Sequence, residues 1–136
     1  MANESTHLTI TLTGRPPVKI KKDDWPVLAG AADKEHDGQV ECQANRAATW
    51  KLTVRQHADG RAIVYGVHTY DSHWQGEHGR DVRGGELVEK GGDIPGAIRR
   101  VADELEARLP DQGAWGQGVF PRLAHECAAD LPAVEL

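Results

Sequence analysis

Residues 68–81 read HTYDSHWQGEHGRD, three histidines and three carboxylates within fourteen residues. Imidazole nitrogen and carboxylate oxygen are good ligands for zinc and other divalent ions. His68, Asp71, His73, Glu77 and His78 supply such atoms, and a small metal-dependent hydrolase would use these histidines with Asp71 or Glu77. The spacing does not specify a site. Two histidines four apart on a helix share a face, as in HExxH, but His68 and His73 are five apart and would face opposite ways on a strand. His73 and His78 have the same difficulty unless the chain turns at Gly76. The alternative is a solvated connection leaving a sheet.

Other chemistries find less. Asp71, Glu77 and Asp81 sit among arginines and glycines, where a carboxylate pair lacks the contrasting environments that separate acid from base. No GxSxG occurs, and neither cysteine has a nucleophile context. Arg83-Gly84-Gly85 and Gly91-Gly92 precede a helix, whose N-terminus attracts anions. Phosphate-loop and dinucleotide motifs are absent, however, and Asp93 occupies the cap. Cys42 and Cys127 form no CxxC, so no zinc knuckle or redox motif is indicated. They read as two buried thiols, with a long-range disulfide still open. No cofactor is implied.

Exposed aromatics beside arginines are more suggestive. Trp74, Arg80 and Arg83 fall in a predicted loop over 71–85, and Trp115 in a glycine-rich loop over 111–118. Tryptophan and arginine anchor protein interfaces, so this edge is expected to dock a protein partner without catalysis. The competing reading has both tryptophans folding back to plug a small core. Nucleic-acid binding through a strand face with Lys51, Arg55, His57 and Arg61 is a further alternative. Net charge of −5 weighs against it, because phosphate backbones call for a basic footprint. Lys19, Lys21 and Lys22 form the one basic run, expected to be a solvated strand end.

The elements that must position these residues follow from length and periodicity. With 136 residues, 39% hydrophobic and 27% charged, the chain suits one globular domain, expected over 1–132 with a frayed tail at 133–136. The N-terminus has no signal-peptide pattern, and no run approaches the roughly 20 apolar residues of a membrane span. A cytoplasmic protein with no membrane partner is therefore expected.

Leu8, Ile10 and Leu12 alternate with threonines as a half-buried strand. Gly14-Arg15-Pro16-Pro17 breaks it, and Val18 and Ile20 complete a hairpin. Asp23 or Asp24 caps a short helix near residue 25 with Trp25, Leu28 and Ala32 on its apolar side. Residues 33–48 read mostly as loop, with a short strand at Gln39–Gln43. Trp50, Leu52 and Val54 alternate up to Asp59-Gly60, the dipeptide of a two-residue hairpin turn. That turn pairs Ala58 with Arg61, Val54 with Tyr65, Leu52 with Val67 and Trp50 with Thr69. It gathers Trp50, Leu52, Val54, Ile63, Tyr65 and Val67 on one face and points His68 away from the core. Val82–Val88 forms a further strand. Asp93 caps a helix over Ile94–Leu109, and Phe120, Leu123, Cys127 and Leu131 mark a last helix. The fold expected is α+β, an antiparallel sheet of four to five strands with two C-terminal helices on one face.

The stretches TLTGRPPVKIKKDDWPV, VRQHADGRAIVYG and QGEHGRDVRGGELV resemble short accessory proteins of proteobacterial plasmids, prophages and integrated elements. The resemblance covers most of the chain. It implies an accessory protein of a mobile element, where countering host defence is a common role, and it implies no catalytic residue.

Overall fold

The computed structural model describes residues 6–37, 46–72, 79–109 and 118–133. Its class is the α+β expected, with two antiparallel sheets and two helices near the C-terminus. Strands β1 (His7–Leu12) and β2 (Arg15–Lys21) form a two-stranded ribbon. Strands β3 (Val27–Asp37), β4 (Arg46–Gln56), β5 (Ala62–Ser72) and β6 (Arg80–Val88) form a four-stranded sheet in that order. Helices α1 (Ile94–Arg108) and α2 (Val119–Ala129) follow. The helices cover one face of the sheet and the ribbon lies on the other.

The helix face holds Trp50, Leu52 and Val54 of β4 and Ala62 and Val64 of β5, closed by Ile98 and Leu105 of α1 and Phe120 and Leu123 of α2. The ribbon face holds Ile10, Leu12, Ile20, Trp25 and Ile63, with Tyr65 and Leu87 packed alongside. Asp93 caps α1 as expected, its side chain accepting from the Gly96 N–H at 3.0 Å, with Pro95 in the first turn. Helix α1 can lie close on the sheet because Gly66 has no side chain. A Cβ there would stand 2.6 Å from Leu105 Cδ1 and 2.7 Å from Leu52 Cδ2.

The central hairpin departs from the expected register. The loop takes three residues, Ala58–Gly60, closed by Gly60 N–H to the His57 carbonyl at 2.9 Å and His57 N–H to the Arg61 carbonyl at 2.8 Å. Gly60 supplies the positive φ of +102° that such a loop needs at its third position. Asp59 is spent on Arg61, accepting from its backbone N–H and its Nε. Val54 therefore faces Val64, Leu52 faces Gly66 and Trp50 faces His68. This one-residue slip reverses every side chain of β5. Ile63 and Tyr65 turn to the ribbon, and Ala62, Val64, Gly66 and His68 turn to the helices.

Two further expectations are corrected. The short helix near residue 25 is a single 3-10 turn, Lys22–Asp24, and Trp25, Leu28 and Ala32 form no helical face. The chain enters β3 instead, because the Pro26 carbonyl accepts from Gln56 N–H at 3.1 Å and Val27 then pairs with Arg55. Of the segment read mostly as loop, residues 33–37 and 46–48 are strand, with β3 running to Asp37 and β4 resuming at Arg46. Gln39–Gln43 lies outside the described residues.

Both outer edges of the sheet are engaged. On β6, Gly85 gives its carbonyl to Thr13 N–H at 2.9 Å and its N–H to Thr13 Oγ1 at 3.3 Å. Arg108 Nη1 donates to the Arg83 carbonyl at 2.8 Å. On β3, Gly30 N–H donates to Asp130 Oδ2 at 3.0 Å, from the end of α2.

Candidate functional site

The ribbon is shorter than the strands beneath it. Its apolar side chains reach Ile63, Tyr65 and Leu87 but not Val67, which is half-buried and belongs to neither apolar core. On that face, no described element covers the half of the sheet around Val67. Strand alternation and register put Thr49 and Lys51 of β4, Val67 and Thr69 of β5, and Asp81 and Arg83 of β6 there together. The Thr49 and Thr69 hydroxyls share a hydrogen bond of 2.5 Å across the strands. Arg83 holds Asp81 in a two-pronged ion pair at 2.7 and 3.1 Å, both side chains about half exposed. Lys51 is exposed. The result is one apolar side chain, Val67, flanked by threonine hydroxyls and rimmed by charge.

The same end of the molecule receives the connections that the sequence marked for docking. Arg46 pairs with Ser72 and Tyr70 with Arg80, so β4 begins, β5 ends and β6 begins at one end of the sheet. The last turn of α1 reaches that end, where Arg108 grips β6 and Glu106 Oε2 accepts from Gly118 N–H at 3.0 Å. Arg83 is thus on the open face, and Arg80 is the first residue of β6. Trp74 and Trp115 lie outside the described residues.

The histidine constellation is placed only in part. His68 is fully buried in the helix-side core, contrary to the expectation that it points away, and the register slip is the cause. Its Nδ1–H donates to the Thr49 carbonyl at 3.0 Å, and its ring centroid stands 5.0 Å from that of Trp50. Asp71 pairs with Ala47 in the ladder. His73, Glu77 and His78 lie outside the described residues. Among the described residues, no three His, Cys, Asp or Glu side chains gather as metal ligands do.

The cationic strand face is mostly occupied. Arg55 donates to Tyr65 Oη at 3.0 Å and to the Trp25 carbonyl at 2.9 Å, so it braces the ribbon side. Arg61 pairs with Asp59 and lies 5.2 Å over the Trp25 ring. Asp59 is held below the usual carboxylate range, first by the hydrogen bond from Arg61 N–H and then by the Arg61 side chain. His57 Nδ1 accepts from Asp59 N–H at 3.0 Å and the ring meets Trp25 edge-on. Only Lys51 of that set is left open. A cleft of about 530 Å³ beside this tip is lined by Asp23, Asp24, Val27 and His57.

Cys127 is a free, buried thiol. Burial, with Asp130 adding to it, pushes its pKa up to about 11, which suits a core residue and not a nucleophile. Cys42 lies outside the described residues. Among the described residues no helix is long and apolar enough to cross a membrane.

No protein family, no curated protein and no solved structure matches this chain. The open half-face itself went unnoticed in the sequence. Thr49, Val67 and Thr69 carry no motif, and their shared face depends on a register that a single turn residue decides.

Proposed function

We propose that this chain is a non-enzymatic binding module that docks a protein partner on the open half of its sheet. The observation that carries the reading is that the ribbon stops short of Val67, leaving this one apolar side chain between Lys51 and the Asp81–Arg83 pair. A partner suited to it offers one apolar side chain for Val67 and a carboxylate for Lys51. The stems of the predicted docking loops meet the same end, so Trp74 and Trp115 are taken as contributors to this contact. Loops carried on a rigid scaffold are a common place for recognition. The resemblance to accessory proteins of mobile elements points to host proteins, defence components among them, as partners to seek.

A photo-crosslinking residue at position 67 is expected to capture one partner from host cells, while the same residue at position 19 on the ribbon does not. Val67→Glu should abolish capture and leave the melting temperature nearly unchanged. Capture that survives Val67→Glu, or that occurs equally at position 19, would sink the reading.

A further inference from the structure

The outer face of the ribbon carries lysines that no described carboxylate answers. Off the ribbon, Arg55, Arg61, Arg83, Arg100, Arg108 and Arg122 each have an acceptor, while Lys51, Lys90 and Arg99 have no carboxylate partner among the described residues. Arg15, Lys19, Lys21 and Lys22 have no carboxylate partner among the described residues, though the chain as a whole is acidic. The sequence pattern fixes the direction of Lys19 and Lys21, whereas Arg15 pairs with buried Leu12 and Lys22 lies in the 3-10 turn after β2. Ile10, Leu12 and Ile20 turn inward and are buried, so Thr9, Thr11, Lys19 and Lys21 turn outward and are exposed. Cross-strand pairing sets Thr9 beside Lys19 and His7 beside Lys21. Lys19 and Lys21 stand about 6.6 Å apart along the strand, given a rise of about 3.3 Å per residue.

We propose that this face is a sequence-independent contact for the phosphate backbone of a nucleic-acid duplex. Lysine and arginine ammonium or guanidinium groups, with threonine hydroxyls, are the donors that phosphate contacts use. Among the described residues the face has no tryptophan, tyrosine or phenylalanine on which an unpaired base could stack, its one ring being the small imidazole of His7, which favours a duplex over a single strand. It also has no apolar centre, which a protein interface would need. Lysine and proline on β2 also discourage strand pairing at a free edge. That role requires no order in the cations and predicts no ligand, so binding separates the two accounts.

The test is anisotropy titration of a short mixed-sequence duplex between about 50 and 200 mM salt. Nonspecific binding in the range of roughly 10⁻⁴ to 10⁻⁶ M is expected. Neutralising about three phosphates gives a log–log slope of roughly −3, so affinity falls roughly sixty-fold over that range. The Lys19→Gln/Lys21→Gln double variant should cut the slope by about 2, and Lys19→Arg/Lys21→Arg should restore it. A Lys90→Gln/Arg99→Gln control should leave it unchanged. Polyglutamate and anionic phosphatidylserine vesicles are the competing ligands. Absence of duplex binding at the low-salt end overturns the proposal. So does an unchanged slope in the Lys19/Lys21 variant, or equal or tighter binding of either competitor.

Discussion

On the helix side of the sheet nineteen buried residues interlock among the described residues, drawn from all four strands and both helices. On the ribbon side five do. The first face is closed along its described length, and its tight fit depends on glycines such as Gly66. Among the described residues the second is closed over half its length, by a ribbon that touches the sheet through a few side chains and the Thr13–Gly85 clasp. One sheet thus carries a stabilising face and a partly open one. The division teaches that the apolar content of a strand does not by itself say which face is core, because β5 is apolar on both.

The contrast can be broken most directly with Leu105→Ala. It should cost about 2–5 kcal/mol in urea unfolding, with Ile20→Ala at the low end of that range because the ribbon site can collapse. Equal costs would erase the distinction between the faces. Gly66→Val should cost about 1–3 kcal/mol by forcing α1 off the sheet, while leaving the duplex affinity of the ribbon unchanged. Asp93→Ala should cost about 1 kcal/mol through the lost cap on α1. Thr13→Val should cost about 1 kcal/mol or less. Its sharper readout is hydrogen exchange, where β1 and β2 amides should lose protection before those of β4 and β5.

Cys127 offers the subtlest probe. Its folded value of about 11 lies above its ordinary 9.0, so the folded state keeps the proton over that window. Stability should decline as pH rises from 9 toward 11, and Cys127→Ala should flatten that decline. Alkylation at pH 8 should follow the opening of α2. Fast labelling of the folded protein would show that the helix layer is looser than its packing implies.

Much of the architecture was legible. Asp93 with Pro95 announces α1, the alternation at Leu8, Ile10 and Leu12 announces β1, and Trp50, Leu52 and Val54 announce the core face of β4. What failed was the hairpin tip. Asp-Gly favours a two-residue turn, but the Asp59–Arg61 hydrogen bonds favour the longer loop, and β5 could not arbitrate because Ile63 and Val64 suit opposite faces equally well. His68 was misplaced for the same reason. Trp25, Leu28 and Ala32 have a spacing that reads as helix in isolation, but Trp25 ends the 3-10 turn and the ladder with β4 makes Leu28 and Ala32 strand. The open half-face could not be read at all, since it depends on how far the ribbon extends over a register the sequence left ambiguous.

The Asp130 carboxylate on Gly30, with the Thr13 and Arg108 contacts on β6, has a consequence for colloidal behaviour. An incoming β-strand from another molecule finds these rungs already taken at both borders, so concentrated solutions should resist fibril templating. Freeing the border of β3 with Asp130→Ala would expose an amide to such growth without touching either core.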